Sequence, residues 1–313
     1  MENFSVFVSD GLEEAGLELL RKVASVTVDA KISAEDLISV LPEYDALIVR
    51  SRTKVTKEVL QSSKRLKVVG RAGVGVDNID LKAAKAAGIT VVNSPLAASN
   101  AVAELALGFM LSMARRIPDM DASMKAYKWE KSSFKGSEIE GKVLGLLGLG
   151  RIGGRVAELA RAFGMTILAY DPFVSAEEIR MRHAEPASFD ELLEQSDYIS
   201  LHLPLTEVTR GLIGANQFDM MKTGVRLICT ARGGVVDEAA LKDALDSGKV
   251  AGAALDVFAT EPPASGNIAS HPRVIASPHI GAQTKEAQTK AGIGIAQEVI
   301  AVLQNKEPHF RVV

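Results

Sequence analysis

The chain is poor in cysteine: Cys229 is the single one among 313 residues, so no internal disulfide can form and metal sites built from several thiolates are excluded. That usage suits a reducing, cytoplasmic compartment. It also lacks a dominant charge, since 36 basic and 39 acidic side chains leave a formal net charge of −3. No bulk field then draws nucleic acid or anionic lipid, and neither is an expected partner. No stretch approaches the roughly 18 apolar residues of a membrane span, and the richest, residues 103–113, contains Glu104. The opening Met1-Glu2-Asn3-Phe4-Ser5 is acidic from its second residue, whereas a secretory signal begins basic and continues apolar.

What is present is an ordinary globular balance, 47% hydrophobic and 24% charged. The length suits two domains of roughly 100–200 residues each. Short β-branched runs alternate with helical patterns throughout, the signature of parallel α/β architecture. In the first part, strands are expected at Phe4–Val8, 25–28, Ala46–Val49, 68–69 and 90–92, with helices at 13–22, 34–41, 57–61 and 81–87. A longer apolar helix follows at 101–115, with Ser99 or Asn100 placed to cap it. From Lys142 the rhythm restarts: strand Val143–Leu147, helix 152–163, then strands at Thr166–Tyr170, 199–201, Val225–Cys229, 251–255 and Val274–Ala276. A final helical pattern covers 284–303.

Gly148-Leu149-Gly150-Arg151-Ile152-Gly153 matches G-x-G-x-x-G, follows the Val143–Leu147 run and opens the helix at 152–163. In that strand–turn–helix setting a helix N-terminus meets a pyrophosphate. Gly148 permits the tight turn, Gly150 lets backbone approach the phosphates, and Gly153 lets helix and strand pack closely. An acid is expected about 20 residues later, and Asp171 supplies it. A carboxylate there accepts hydrogen bonds from the adenosine ribose and repels a 2′-phosphate, favouring NAD over NADP. The fingerprint begins nearly halfway along the chain, so the first α/β unit is expected to be a separate substrate domain. The C-terminal helix can cross back to that domain, and the active site is expected in the cleft between domains.

Three further strand ends could carry chemistry. Arg232 follows Val225–Cys229 within Thr230-Ala231-Arg232-Gly233-Gly234, and a guanidinium there can hold a carboxylate and polarise the adjacent carbonyl. Glu261 follows Leu255-Asp256-Val257-Phe258, and His279 lies in Ser277-Pro278-His279-Ile280-Gly281. A histidine can take a hydroxyl proton while hydride leaves the same carbon, with a carboxylate orienting the imidazole. Seen alone, Arg232 equally fits a structural ion pair, His279 a loop histidine bonded to backbone, and Glu261 a solvated acid. His202 should line the cofactor cleft through its backbone, Cys229 should be a buried strand residue, and His183, His271 and His309 read as surface histidines. No metal-ligand pattern is found.

Together these motifs, with Ile48-Val49-Arg50-Ser51, Val69 through Asn78, Asp197 through Leu205, Ala231 through Glu238, Gly252 through Phe258 and Pro278 through Ala282, resemble the D-isomer-specific 2-hydroxyacid dehydrogenases over nearly the whole chain. The resemblance is strongest to the branch that acts on phosphoglycerate. It implies an α/β protein of two domains: a Rossmann-type doubly wound NAD-binding domain at 99–284, and a flavodoxin-like substrate domain at 1–98 and 285–313, completed by the C-terminal helix. It implies NAD as cofactor, Arg232, Glu261 and His279 as the catalytic set, and Arg232 and His279 also in contact with cofactor and substrate. Cofactor contacts carried over are Val74, Gly148, Gly150, Arg151, Ile152, Gly153, Asp171, Leu203, Thr230, Ala231, Asp256, Gly281 and Ala282, with Asp256 near the nicotinamide amide. Substrate contacts are Arg50, Arg71, Ala72, Gly73 and Val74, where Arg50 and Arg71 would anchor a phosphate, with Lys131 and Lys135 as further cations.

Thr230 stands where many relatives carry Asn, and Pro95 through Asn100 has fewer polar groups than is usual there. The implied reaction is NAD-dependent oxidation of D-3-phosphoglycerate to 3-phosphohydroxypyruvate, the first step towards L-serine. Alternatives are a hydroxypyruvate/glyoxylate reductase, a D-lactate dehydrogenase, or an NAD-sensing corepressor-like binding protein. A homodimer or homotetramer is implied, with 101–115 and the Trp129 region as contacts. Because the chain stops at Val313, regulation by a C-terminal serine-binding domain is expected to be absent.

Overall fold

The computed structural model of the chain describes residues 4–313. It divides into two compact units: the described residues up to Ser99 together with Ala282–Val313, and Asn100–Gly281.

In the first unit, strands β1 (Phe4–Val8), β2 (Ala24–Val28), β3 (Ala46–Val49), β4 (Val68–Arg71) and β5 (Thr90–Asn93) form a parallel sheet of order β2-β1-β3-β4-β5. This is the flavodoxin-like order. Helices α1 (Glu14–Arg21), α2 (Ala34–Val40), α3 (Lys57–Ser62) and α4 (Leu81–Ala86) supply the crossovers. The caps follow from sequence: Ser33, Thr56 and Asp80 each accept the backbone N–H three residues on, satisfying a donor that the helix cannot pair itself.

Helix α5 (Ser99–Arg115) leads from the first unit into the second, and α6 (Ile117–Lys125) follows. The strands of the second unit are β6 (Val143–Leu147), β7 (Thr166–Tyr170), β8 (Glu185–Pro186), β9 (Tyr198–Leu201), β10 (Val225–Cys229), β11 (Val250–Leu255) and β12 (Val274–Ala276), connected through α7 (Arg151–Ala162), α8 (Ala176–Met181), α9 (Phe189–Gln195), α10 (Ala215–Met220) and α11 (Glu238–Asp246). All seven strands run parallel in the order β12-β11-β10-β9-β6-β7-β8. The order reverses between β6 and β9, the switch point beside which a doubly wound sheet binds dinucleotides. Parallel sheets need cover on both faces, and two apolar clusters provide it, one around Leu147, Leu201 and Leu227 and the other around Met110, Leu144 and Val156.

The last helix, α12 (Lys285–Leu303), belongs to the first unit, where Ile295, Ala296, Val299 and Leu303 pack with Val6, Ile48 and Val68. Its N-cap is Thr284, which accepts from Ala287 N–H. Among the described residues no helix is long and apolar enough to cross a membrane.

One local expectation is corrected, and one helix appears where none was expected. The helix expected from residue 101 already includes Ser99, and Asn100 does not cap it: its side chain accepts from Arg155 Nε at 2.9 Å and donates to Glu104. Helix α6 was hidden because Arg116 breaks the apolar pattern with a left-handed φ of 53°, after which Pro118 starts a new helix.

Glycine decides how α12 seats. A Cβ on Gly16 of α1 would lie 2.5 Å from the Gly292 carbonyl oxygen of α12, so the two helices touch backbone to backbone. Gly16→Ala should therefore destabilise the protein by about 1–3 kcal/mol through overpacking, seen as a lowered urea midpoint. A stability within error of wild type would show that α12 has room to move away.

Candidate active site

Sheet register builds the site in the second unit. Tyr170, Leu147, Leu201, Cys229, Leu255 and Ala276 form one continuous row of paired residues across β7, β6, β9, β10, β11 and β12. The residues one step beyond that row are Asp171, Gly148, His202, Thr230, Asp256 and Ser277. All therefore leave the sheet at its C-terminal edge, where α/β sheets bind ligands.

At the switch point Gly148 takes a φ of +90°, and a Cβ there would sit 2.6 Å from the His202 carbonyl oxygen. Gly153 is packed against the turn itself, with a Cβ position 2.2 Å from the Gly148 oxygen. Gly150 is different: a Cβ there meets no protein atom within 4 Å, so its backbone borders open space. It is also the N-cap of α7 and offers no side chain to the first N–H groups of that 12-residue helix. Open space beside unpaired N–H groups and the positive end of a helix fits a pyrophosphate. Asp171 Oδ2 accepts from Leu149 N–H at 2.8 Å and Oδ1 from Phe173 N–H at 3.0 Å, which fixes the carboxylate beside the turn with lone pairs left for ribose hydroxyls. Thr230 is buried, and its Oγ1 has no partner among the described residues, a second feature that suits a polar ligand at this edge.

Arg232, Glu261 and His279 come from three successive strand-end loops. Glu261 Oε2 lies 2.8 Å from His279 Nδ1, and Glu261 Oε1 accepts from Phe258 N–H at 3.1 Å. One carboxylate thus braces its own loop and orients the imidazole of the next. With Nδ1 engaged, Nε2 is left for proton exchange, and the exposed His279 ring can reach a ligand. The Arg232 loop abuts the Glu261 loop, because a Cβ on Gly233 would fall 1.8 Å from the Phe258 oxygen. Arg232 Nη1 donates to the Ala231 carbonyl at 2.7 Å.

Asp256 does more than its strand-end position suggests. It is 1% exposed, Oδ1 accepts from Ser277 Oγ and from Ile280 N–H at 2.8 Å, and Oδ2 accepts from Gly281 N–H at 2.8 Å. These bonds close the loop that carries His279, whose φ of 53° is left-handed. Asp256 thus holds the histidine loop, a role that its sequence motif does not announce. Oδ1 thus carries two of these bonds and Oδ2 one, so Oδ2 keeps a lone pair for the amide that the resemblance implies.

His202 lies behind the glycine turn, bonded to Ser200 Oγ at 2.9 Å, and burial pushes its pKa down to about 4, so it is neutral and structural. Cys229 is buried and burial pushes its thiol up to about 11, which removes it as a nucleophile. His183 and His309 are exposed, but His271 is not a surface residue: its side chain is 10% exposed and Nε2 lies 3.2 Å from Asp246. Its ring sits between helix α11 and the turn before β12, where the partner acid holds it. Among the described residues no group of three or more His, Cys, Asp or Glu could hold a metal ion.

The substrate candidates Arg50, Arg71, Ala72, Gly73 and Val74 gather in the first unit. Val49 pairs with Arg71, so Arg50 and Arg71 leave adjacent strands β3 and β4 at one edge. Arg71 folds back across Gly73, where a Cβ would collide with the guanidinium at 1.5 Å. Asn93 Nδ2 donates to the Val74 carbonyl at 2.6 Å and fixes the turn. Of the cofactor candidates, Val74 and Ala282 belong to this unit and the rest, from Gly148 to Gly281, to the other. Lys131 and Lys135 are exposed in the second unit, at and beyond a short 3-10 turn.

The turn geometry makes Gly150→Val a selective probe. Its φ of −70° is open to any L residue and its side-chain space is empty, so the loss of stability should be confined to the poorer N-cap, about 1 kcal/mol. NADH binding, followed by nicotinamide fluorescence, should weaken more than tenfold. Undiminished binding would remove the turn from the cofactor site.

Comparison with known proteins agrees with this geometry. Residues 107–281 match the family described as "D-isomer specific 2-hydroxyacid dehydrogenase, NAD binding domain". The D-3-phosphoglycerate dehydrogenase of Synechocystis sp. is 45% identical over 95% of this chain and 54% of its own length. That of Archaeoglobus fulgidus is 48% identical over 94% of this chain and 56% of its own length. The chain thus spans about half the length of these curated relatives. Among solved structures, a glyoxylate reductase from Paecilomyes thermophila superposes with a TM-score of 0.91 at 32% identity, covering 100% of this chain and 99% of its own. A D-lactate dehydrogenase from Aquifex aeolicus, complexed with NAD and lactic acid, gives 0.83 at 32% identity over 96% of each chain. By sequence and by structure, the chain belongs to the D-isomer specific 2-hydroxyacid dehydrogenase family.

Proposed function

We propose that the protein catalyses NAD-dependent oxidation of D-3-phosphoglycerate to 3-phosphohydroxypyruvate. The observation that carries the dehydrogenase reading is the 2.8 Å contact between Glu261 and His279, on the loop next to Arg232. The phosphoglycerate reading draws support from relatives of that name at 45–48% identity and from the two arginines at the edge of β3 and β4.

In this reading Arg232 binds the substrate carboxylate through a bidentate pair and polarises the C2 oxygen. His279 Nε2 takes the C2 hydroxyl proton, and Glu261 stabilises the resulting imidazolium through Nδ1. The Gly148–Gly153 turn and Asp171 would hold NAD, which would supply the hydride acceptor for C2. Asp256 keeps the His279 loop closed throughout. Arg50 and Arg71 hold the phosphate, while the 71–75 turn offers backbone N–H groups to the carboxylate. We also infer a cytoplasmic homo-oligomer. The lone reduced cysteine supports the compartment, and the exposure of Tyr127 (99%) and Trp129 (79%) supports a subunit contact around Trp129.

The test follows NADH consumption with 3-phosphohydroxypyruvate, hydroxypyruvate, glyoxylate and pyruvate. A clear preference for the phosphorylated acid is expected; preference for glyoxylate or pyruvate would replace the substrate and keep the mechanism. His279→Ala should lower turnover by about 10²–10⁴-fold with NADH affinity retained. Unchanged turnover would exclude His279 from the chemistry, and NADH binding without reduction of any acid would favour a binding protein.

A further inference from the structure

Two arginines on one turn of the first unit are used differently. Arg52 is committed to the fold: its guanidinium lies 3.1 Å from Asp10 Oδ1 and donates to the carbonyls of Ile32 and Ser9. Arg50 makes no ion pair among the described residues, and its single side-chain contact is Nη2 to Gln283 Oε1 at 3.3 Å. An arginine without a carboxylate, on a half-buried turn, has its charge available for an anion.

The turn beneath Arg50 is clamped from both sides. The Asp10 carboxylate, 3% exposed, accepts from Arg50 N–H at 2.7 Å, from Thr53 N–H at 3.1 Å and from Thr53 Oγ1. Asn78 Nδ2 donates to the carbonyls of both Arg50, at 2.8 Å, and Thr53, at 2.6 Å. Both peptide ends of the 50–53 segment are therefore fixed by side chains from elsewhere in the sheet edge. Gln283 meets the guanidinium at its far end. A guanidinium only donates, so the amide oxygen of Gln283 faces it and the amide NH2 is left without a partner among the described residues.

We propose that Asp10 and Asn78 are positioning residues that present Arg50 to a distal anionic group of the substrate, and that Gln283 orients the guanidinium and adds an N–H donor to that group. The proposal rests on the phosphorylated-acid reading above and names the anion as a phosphate monoester. A rigid turn limits the freedom lost when the anion binds, so selectivity, more than chemistry, depends on this set.

The experiment compares KM and kcat for 3-phosphohydroxypyruvate and hydroxypyruvate in wild type, Gln283→Leu and Asn78→Ala, with the urea unfolding midpoint as the check on folding. Gln283 is exposed, so its variant tests the subsite without disturbing the core. Gln283→Leu should raise KM for the phosphorylated acid about tenfold, as expected for losing a hydrogen bond to a charged group, and raise KM for hydroxypyruvate much less. Asn78→Ala should shift the selectivity ratio the same way. If wild type prefers the phosphorylated acid and Gln283→Leu keeps the full preference, the subsite is wrong while the substrate reading stands. If both acids lose equally in the variants, the residues act on the fold alone and the proposal fails. If wild type shows no preference for the phosphorylated acid, the substrate reading falls and takes this subsite with it.

Discussion

The register of the seven-stranded sheet is the constraint on which the candidate site of the second unit depends. One row of paired residues, from Tyr170 on β7 to Ala276 on β12, sets the level at which six loops leave the sheet. A slip of one residue in any strand would turn its core side chains to the opposite face and move its loop by about 3.3 Å. Apolar clusters on both faces resist such slips, so Gly148, Asp171, Thr230 and the loops bearing Arg232, Glu261 and His279 are delivered to one edge by packing energy spent far from them.

Above that edge, carboxylates convert strand ends into ordered loops. Asp256 closes the 277–281 segment, and Glu261 joins the Phe258 backbone to His279. The first unit uses the same device at Asp10, which gathers the 50–53 turn. In each case a short acidic side chain accepts from N–H groups that a loop would otherwise leave unpaired. The loop is then stiff enough to hold a histidine or an arginine in place.

Much of this was legible in the sequence because strand ends are. The runs Val143–Leu147, Thr166–Tyr170 and Val225–Cys229 stop where glycine, aspartate or threonine begins, and helix α7 follows the glycine turn at once. The partners across loops were not legible. Asp256 is bonded to residues 24 and 25 positions away, and Arg50 N–H to an acid 40 positions earlier. No local pattern distinguishes an aspartate facing a cofactor from one facing the next loop. His271 was misread for a similar reason, since its polar neighbours in sequence conceal that Asp246, 25 residues earlier, covers its ring. Gln283 carries no motif at all; only its distance to Arg50 brings it forward.

The central claim is that this edge moves a hydride to C2 of a 2-oxo acid while His279 supplies the proton, and isotope transfer tests it most directly. 3-Phosphohydroxypyruvate would be reduced with NADH carrying deuterium on one or the other face of nicotinamide C4, and the product analysed for label and configuration at C2. The account predicts the D-hydroxy acid with one deuterium at C2, delivered from a single face of the cofactor. Unlabelled product from both cofactor isomers, or the L-hydroxy acid, would contradict it.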